Sequence, residues 1–268
     1  MENHSFDCKT GRLAVDYESW IAKQNIVYKR PILDPADAAM TGTGKIGAAI
    51  WNAQDLNLQV TAVDSSPHTS YSSGWISLET TPSMKGSGRF HQEMNLYEAT
   101  VDTTFGENTK TRVFGSPEEE LMGIQVEDSR PDVSEIRLTL SMWDTSGLVQ
   151  KRLWNTCDDF EEWKEVFWEN QPDYAMLTRG KHTKHGFGYA LAVTVDGAAF
   201  RIEQLDALRT VLIIQPTSAY TIWIANPCRV DHPDESDREA VERLFAKARK
   251  QTAAGVLQDS KKYWRRFW

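Results

Sequence analysis

Residues 41–51 read TGTGKIGAAIW, and the reading of this stretch decides the fold. Gly42, Gly44 and Gly47 spell G-x-G-x-x-G, the dinucleotide-binding fingerprint, with Lys45 inside it. That fingerprint needs a strand before it, a helix after it and a parallel sheet around both. Upstream, RPILDPADAAM (30–40) holds two prolines and no strand run. Downstream, AAIWNAQDLNLQVTAVD (48–64) alternates like β structure. Lys45 precedes Ile46 and not Ser or Thr, so a Walker loop is excluded as well. The glycines are therefore expected to serve a bulge, a tight turn or a close backbone approach where the first core strand begins. Lys45 is expected to be an exposed strand residue with no phosphate to hold.

The remaining chain reads mostly as strands. LYEATVDTTFG, KTRVFGS, LMGIQVED, EIRLTLSMWD, YALAVTVDG, AAFRIEQLD, RTVLIIQPT and AYTIWIANP are short runs rich in Val, Ile, Thr and aromatics, many of them alternating. Asp196-Gly197, between YALAVTV and AAFRIEQL, is a hairpin signal because both residue types tolerate positive φ. So many strands with no helices between them predict an all-β sandwich or barrel. Two segments depart from this. DDFEEWKEVFWENQPDY (158–174) places Phe160, Trp163 and Phe167 at helical spacing, with Trp168 beside them, and predicts a short inserted helix ended by Pro172. Ser236-Asp237-Arg238-Glu239 is a capping-box pattern, and Val241, Leu244, Phe245 and Ala248 follow on one helical face. Gly255 is a candidate break in that helix. Beyond it YWRRFW sets Trp264, Phe267 and Trp268 on one face, which predicts docking back or a lead into a further domain; the second is favoured.

The chain has 268 residues, 40% hydrophobic and 25% charged, with a formal net charge of −8 and no basic stripe. Nucleic acid and anionic membranes are poor partners for such a surface. No apolar run has membrane-spanning length, and MENHSFDCKTGR lacks the core of a signal peptide. A leader removed from the mature chain is compatible with a secreted or periplasmic protein, so the compartment stays open. Cys8, Cys157 and Cys228 read as unpaired thiols, with one disulfide and a leftover thiol as the alternative. The 10 tryptophans fit a large aromatic core or indole faces stacked on sugars, and composition favours the core.

The order of YESWIAKQNIVYKRP, TGTGKIGAAIWN and LNLQVTAVDSS resembles the opening of fucosidase-like glycoside hydrolases, the family 95 group and relatives with a six-hairpin (α/α)6 barrel. RFHQEMNLYEATVDTTFG, EIRLTLSMWD and AYTIWIANP are similar to later strands of their first domain, and SKKYWRRFW to the helix that joins it to the barrel. Gly44–Trp51 and Tyr263–Trp268 are the most specific parts. The resemblance implies a galactose-mutarotase-like β-supersandwich over 1–230, then a helical linker over 231–268 leading to a catalytic barrel outside this sequence. It further implies that the general acid and base lie in that barrel. Carbohydrate would then be met through the parent enzyme, and no cofactor or metal is expected. Thr43 stands where the family has Asn, and the Asn of its next strand is missing; Asp64 could take over a polar role nearby.

Among 38 Asp and Glu no catalytic pair stands out. His182 and His185 in KHTKH have i, i+3 spacing but no third ligand, so a solvated loop pair is favoured. His68 and His91 stand alone, although mutarotase-like sandwiches use a histidine of the concave sheet as an acid. Met142-Trp143-Asp144 ends a strand and could line a sugar cleft. His91, Trp143 and Asp64 are therefore the substrate-binding candidates. The leading expectation is a non-catalytic N-terminal domain of a glycoside hydrolase. A free-standing carbohydrate-binding or mutarotase-like protein is the alternative, and a scaffold using its aromatic tail the third.

Overall fold

The computed structural model describes residues 5–9, 11–65, 72–142, 166–180 and 188–268. A small hairpin, β1 (Ser5–Asp7) and β2 (Arg12–Ala14), and a short helix, α1 (Tyr17–Ala22), come first. Then follow β3 (Ile26–Tyr28), β4 (Ala39–Gly42), β5 (Ile46–Trp51), β6 (Leu56–Ala62), β7 (Gly74–Thr81) and β8 (Phe90–Asn95). Next are β9 (Thr100–Phe105), β10 (Thr109–Gly115), β11 (Leu121–Asp128), β12 (Glu135–Ser141), β13 (Val166–Trp168) and β14 (Ala175–Arg179). The chain continues with β15 (Tyr189–Asp196), β16 (Phe200–Asp206), β17 (Arg209–Ile214), β18 (Ala219–Ala225) and α2 (Asp237–Phe267).

Two antiparallel sheets form a sandwich. One has the order β13-β14-β15-β18-β11-β10-β9-β8-β3, the other β16-β17-β12-β7-β6-β5-β4. Period-two alternation in the sequence turns one set of side chains inward. Ile46, Ile50, Leu58, Ile76, Leu138 and Leu212 from the seven-stranded sheet meet Val101, Val113, Ile124, Leu191 and Ile222 from the nine-stranded one in a single apolar layer. A second cluster forms on the far face of the nine-stranded sheet, where Val241, Leu244, Phe245, Ala248 and Val256 of α2 cover Phe114, Met176 and Trp223.

One buried polar clasp ties the sheets together. Arg130, just beyond β11, donates from Nε to Asp128 Oδ1 at 2.9 Å and from an Nη to Oδ2 at 2.6 Å. It also reaches the seven-stranded sheet, donating to Pro82 O at 2.8 Å and Thr80 Oγ1 at 3.0 Å. Asp55, in the β5–β6 turn, accepts from the Thr80 backbone N–H and hydroxyl, both at 2.7 Å. Burial pushes the Asp128 carboxyl up, but hydrogen bonds and charge from Arg130, with Thr109, outweigh it and hold the group below its ordinary value.

The capping box forms as expected: Ser236 N–H donates to Glu239 Oε2 at 2.9 Å, and Glu239 N–H to Ser236 Oγ at 3.2 Å. The break in α2 falls at Thr252 and not at Gly255. Thr252 has φ 62° and ψ 162°, a region ordinarily left to glycine. After this turn Val256 rejoins the apolar patch, and Lys261 pairs with Glu98 at 2.8 Å.

Three further expectations change. Asp196-Gly197 is not a hairpin: β15 lies in one sheet and β16 in the other, so the dipeptide carries the chain across the sandwich. Positive φ at Gly197 (+91°) is real, but Asp196 is committed to the Trp223 indole N–H at 2.8 Å. The predicted helix over 158–174 ends differently, because Val166–Trp168 forms an edge strand paired with β14. Its β-branched and aromatic residues suit a strand, and Trp168 Nε1 donates to Ala207 O at 2.9 Å. Residues 158–165 lie outside the described residues. Finally, a short strand does lead into the glycines, since β4 begins in the last two residues of the stretch 30–40, runs to Gly42 and pairs with β5.

Two outcomes follow from these contacts. Arg130→Met leaves the Asp128 carboxylate buried without its charge partner, which costs about 3 kcal/mol in urea unfolding at neutral pH. The native pKa is depressed, so this carboxylate's stabilisation is present above about pH 4 and is lost as pH falls through the lowered value. In Arg130→Met the deficit should shrink on acidification as Asp128 protonates; a deficit independent of pH refutes the clasp. Thr252→Gly relieves the backbone at the α2 turn and should stabilise by about 1 kcal/mol, read as a raised Tm.

Candidate functional site

The outer face of the nine-stranded sheet is organised in rows that run across its strands. In one row Phe114 lies opposite Gly123, Gly123 opposite Trp223, and Trp223 opposite Thr194. A Cβ on Gly123 would lie 2.5 Å from Phe114 Cζ and 2.9 Å from Trp223 Cζ3. Its absence lets the two rings meet edge to face, with centroids 6.0 Å apart. Helix α2 lies on this row.

The two neighbouring rows are polar and open. One runs Glu93, Asp102, Arg112, Gln125, Thr221 and Asp196; the other runs His91, Thr104, Lys110 and Glu127. Cavities of about 670, 390 and 350 Å³ lie along them. The first and second share Thr104, and the second and third share Gln125 and Glu127, so the three form one trough from β8 to the turn at Thr252. Basic Arg89, Lys110, Arg112 and Arg249 line it together with acidic Asp102, Glu107, Glu127 and Asp196, and their charges cancel.

Within the trough Arg112 pairs with Asp102, which also accepts from Thr100 Oγ1 at 2.8 Å. Arg249 donates to Asp196 at 3.4 Å and to Asp173 at 3.3 Å, closing the end beside α2. Among the described residues, Lys110, Gln125 and Glu127 have no side-chain partner. These residues were not singled out from the sequence. Alternation in KTRVFG and IQVE puts each on the outer face of its own strand, but their juxtaposition depends on which strands are neighbours.

Of the expected site residues, the two that are described, His91 and Asp64, lie in different parts of the sandwich. His91 is half-exposed on β8 in the polar row, with Nε2 3.7 Å from Glu93 Oε2. Asp64 lies at the end of the sandwich, in the turn after β6, where its charge acts on Lys45 and Cys228. Trp143, Asp144, His68, His182 and His185 lie outside the described residues. So does Cys157, whereas Cys8 and Cys228 are free thiols. Burial, with Glu120, Asp231 and Asp64 adding to it, pushes the Cys228 thiol up and keeps it protonated.

The glycine stretch is a hairpin turn. Gly44 has φ +90°, Thr43 N–H donates to Ile46 O at 2.9 Å, and a Cβ on Gly42 would lie 2.8 Å from Ile46 O. Lys45 is in this turn and not in a strand, with Nζ 3.5 Å from Asp231 Oδ1. Burial lowers its pKa, but the charges of Glu120, Asp231 and Asp64 more than compensate and raise it. Beside it His232 Nε2 contacts Glu120 Oε1 at 3.0 Å, and Arg243 of α2 holds Glu235 at 3.0 Å. Among the described residues no three His, Cys, Asp or Glu side chains gather as metal ligands would. Nor is any described helix long and apolar enough to cross a membrane.

No family model and no curated protein sequence matches this chain. Solved structures do. A putative kojibiose phosphorylase from human microbiome superimposes with TM-score 0.55 and 10% identity, over 90% of this chain and 37% of its own. A bacterial glucoamylase complexed with acarbose aligns over 89% of this chain and 40% of its own, at 9% identity, but a TM-score of 0.38 carries no argument. This chain thus spans well under half the length of the phosphorylase, and the likeness shows a shared β-sandwich fold.

Proposed function

We propose that this chain is the N-terminal, non-catalytic domain of a carbohydrate-active enzyme, with residues 1–230 as the sandwich and 231–268 as a linker to an (α/α)6 barrel. Its role is to support that barrel and line its sugar cleft. The observation that carries this reading is the match to a kojibiose phosphorylase in which nearly all of this chain corresponds to 37% of a longer enzyme. The exposed end of α2 agrees with it: Phe267 is 66% exposed and stacks edge to face between Trp264 and Trp268. Three linked aromatics at a helix end are surface suited to burial by another domain. The fucosidase-like motifs at Gly44–Trp51 and Tyr263–Trp268 make a fucosidase relative the finer proposal. The open polar trough favours a second reading, a sugar-binding β protein that acts by itself.

The test is activity and natural length. The natural polypeptide should continue past Trp268 into helical hairpins. Hydrolysis or phosphorolysis of disaccharides and aryl glycosides should require that continuation. Turnover by residues 1–268 alone, or a natural chain that stops at Trp268, overturns the proposal.

A further inference from the structure

The trough on the outer face of the nine-stranded sheet has an electrostatic and hydrogen-bonding character that selects among ligands. Its four basic and four acidic side chains cancel, so neither a polyanion nor a polycation gains from entering it. Its floor is charged and polar, which disfavours an acyl chain or an apolar peptide face. A neutral ligand rich in hydroxyl groups fits both constraints.

The geometry points to a linear, uncharged oligosaccharide lying across β8, β9, β10, β11 and β18. Five strands cover about 19 Å at the usual strand spacing, long enough for several sugar rings in a row. Arg112 and Asp102 present a planar donor pair beside a planar acceptor pair, the arrangement that pairs with vicinal hydroxyls in both directions. Gln125, opposite Arg112 in register, adds one donor group and one acceptor, and among the described residues it has no partner to displace. Lys110 and Glu127 face each other on β10 and β11 without pairing, so ligand hydroxyls can bridge them. Among the described residues no indole face is open in the trough, since Trp223 lies 1% exposed under α2. Binding then rests on hydrogen bonds exchanged with water, which gives weak affinity in about the millimolar range. The inference rests on the second reading above, in which the trough meets sugar, and it is independent of whether a barrel follows.

Titration of residues 1–268 with maltotetraose, cellotetraose and laminaritetraose by calorimetry tests this, with tetragalacturonate as the charged comparison. At least one neutral tetrasaccharide should bind with Kd of about 1 mM, and tetragalacturonate at least tenfold more weakly. Arg112→Met should weaken the neutral ligand about tenfold, and Gln125→Ala severalfold at unchanged Tm. Trp75→Ala, on the opposite sheet where Trp75 is 43% exposed, should leave binding unchanged. Three results overturn the inference. They are no binding of any neutral tetrasaccharide up to about 10 mM, equal or tighter binding of tetragalacturonate, or loss of binding in Trp75→Ala with Gln125→Ala unaffected.

Discussion

A sheet of nine strands has two faces, and α2 covers the second of them only where its rows are apolar. In one covered row Phe114 and Trp223 stand over Gly123, in the next Leu121, Ala225, Ala192 and Met176 are neighbours, and Val241, Leu244, Phe245 and Val256 pack on this surface. Each of those four helix side chains gains about 1.5–3 kcal/mol on burial, whereas water screens an exposed ion pair such as Arg238–Glu242. Packing therefore sets where the helix lies, and the charges along its flanks follow. The two uncovered rows must face water, and their polar sequence is a consequence of that exposure. The same division leaves a trough at the helix border, while Lys261 ties the late part of α2 to Glu98 in the β8–β9 turn.

Much of this architecture is legible in the sequence because strand alternation is a local signal. LMGIQVED and AYTIWIANP each show which residues face inward, and the structure buries Ile124, Val126, Ile222 and Ile224 accordingly. The capping box and the apolar face of α2 are local too. Errors arise where distant partners decide. Asp196-Gly197 has the composition of a hairpin turn, yet Trp223 and Arg249 hold Asp196, and the chain crosses to the other sheet. Val166–Trp168 has helical spacing with its upstream aromatics, but an open edge at β14 offers backbone partners that a helix would forgo. Thr252 is the break in α2 although Gly255 is the better local candidate; the position of the sheet beneath selects the site.

The polar trough could not be read in advance for a related reason. Arg112 and Gln125 are neighbours only through the β10–β11 register, and Gln125 and Thr221 only through the β11–β18 pairing, almost a hundred residues apart in the chain. Histidine and tryptophan drew attention as residue types, but a site for a neutral polyol needs ordinary polar groups in a regular array. His91 enters the array from its edge, beside Glu93. Asp64 belongs to a different place altogether.

That other place explains the glycine turn. Gly42 and Gly44 allow β4 and β5 to close tightly, and Thr43 then fits against Gly115, where a Cβ would come within 2.3 Å of Thr43 Cγ2. This contact brings the β4–β5 turn against the β10–β11 turn, which carries Glu119 and Glu120. Glu120 is 2% exposed, and a buried carboxylate without compensation costs several kcal/mol. His232 supplies direct contact and Lys45 acts on it through charge, while Lys45 also pairs with Asp231 in the segment leading to α2. Glu119 in turn holds Lys247 on the helix itself. A lysine that looked placed for a phosphate is thus one of several charges joining the turn of one sheet, the turn of the other and the start of the helix, and the glycines bring the backbone close enough for it to do so.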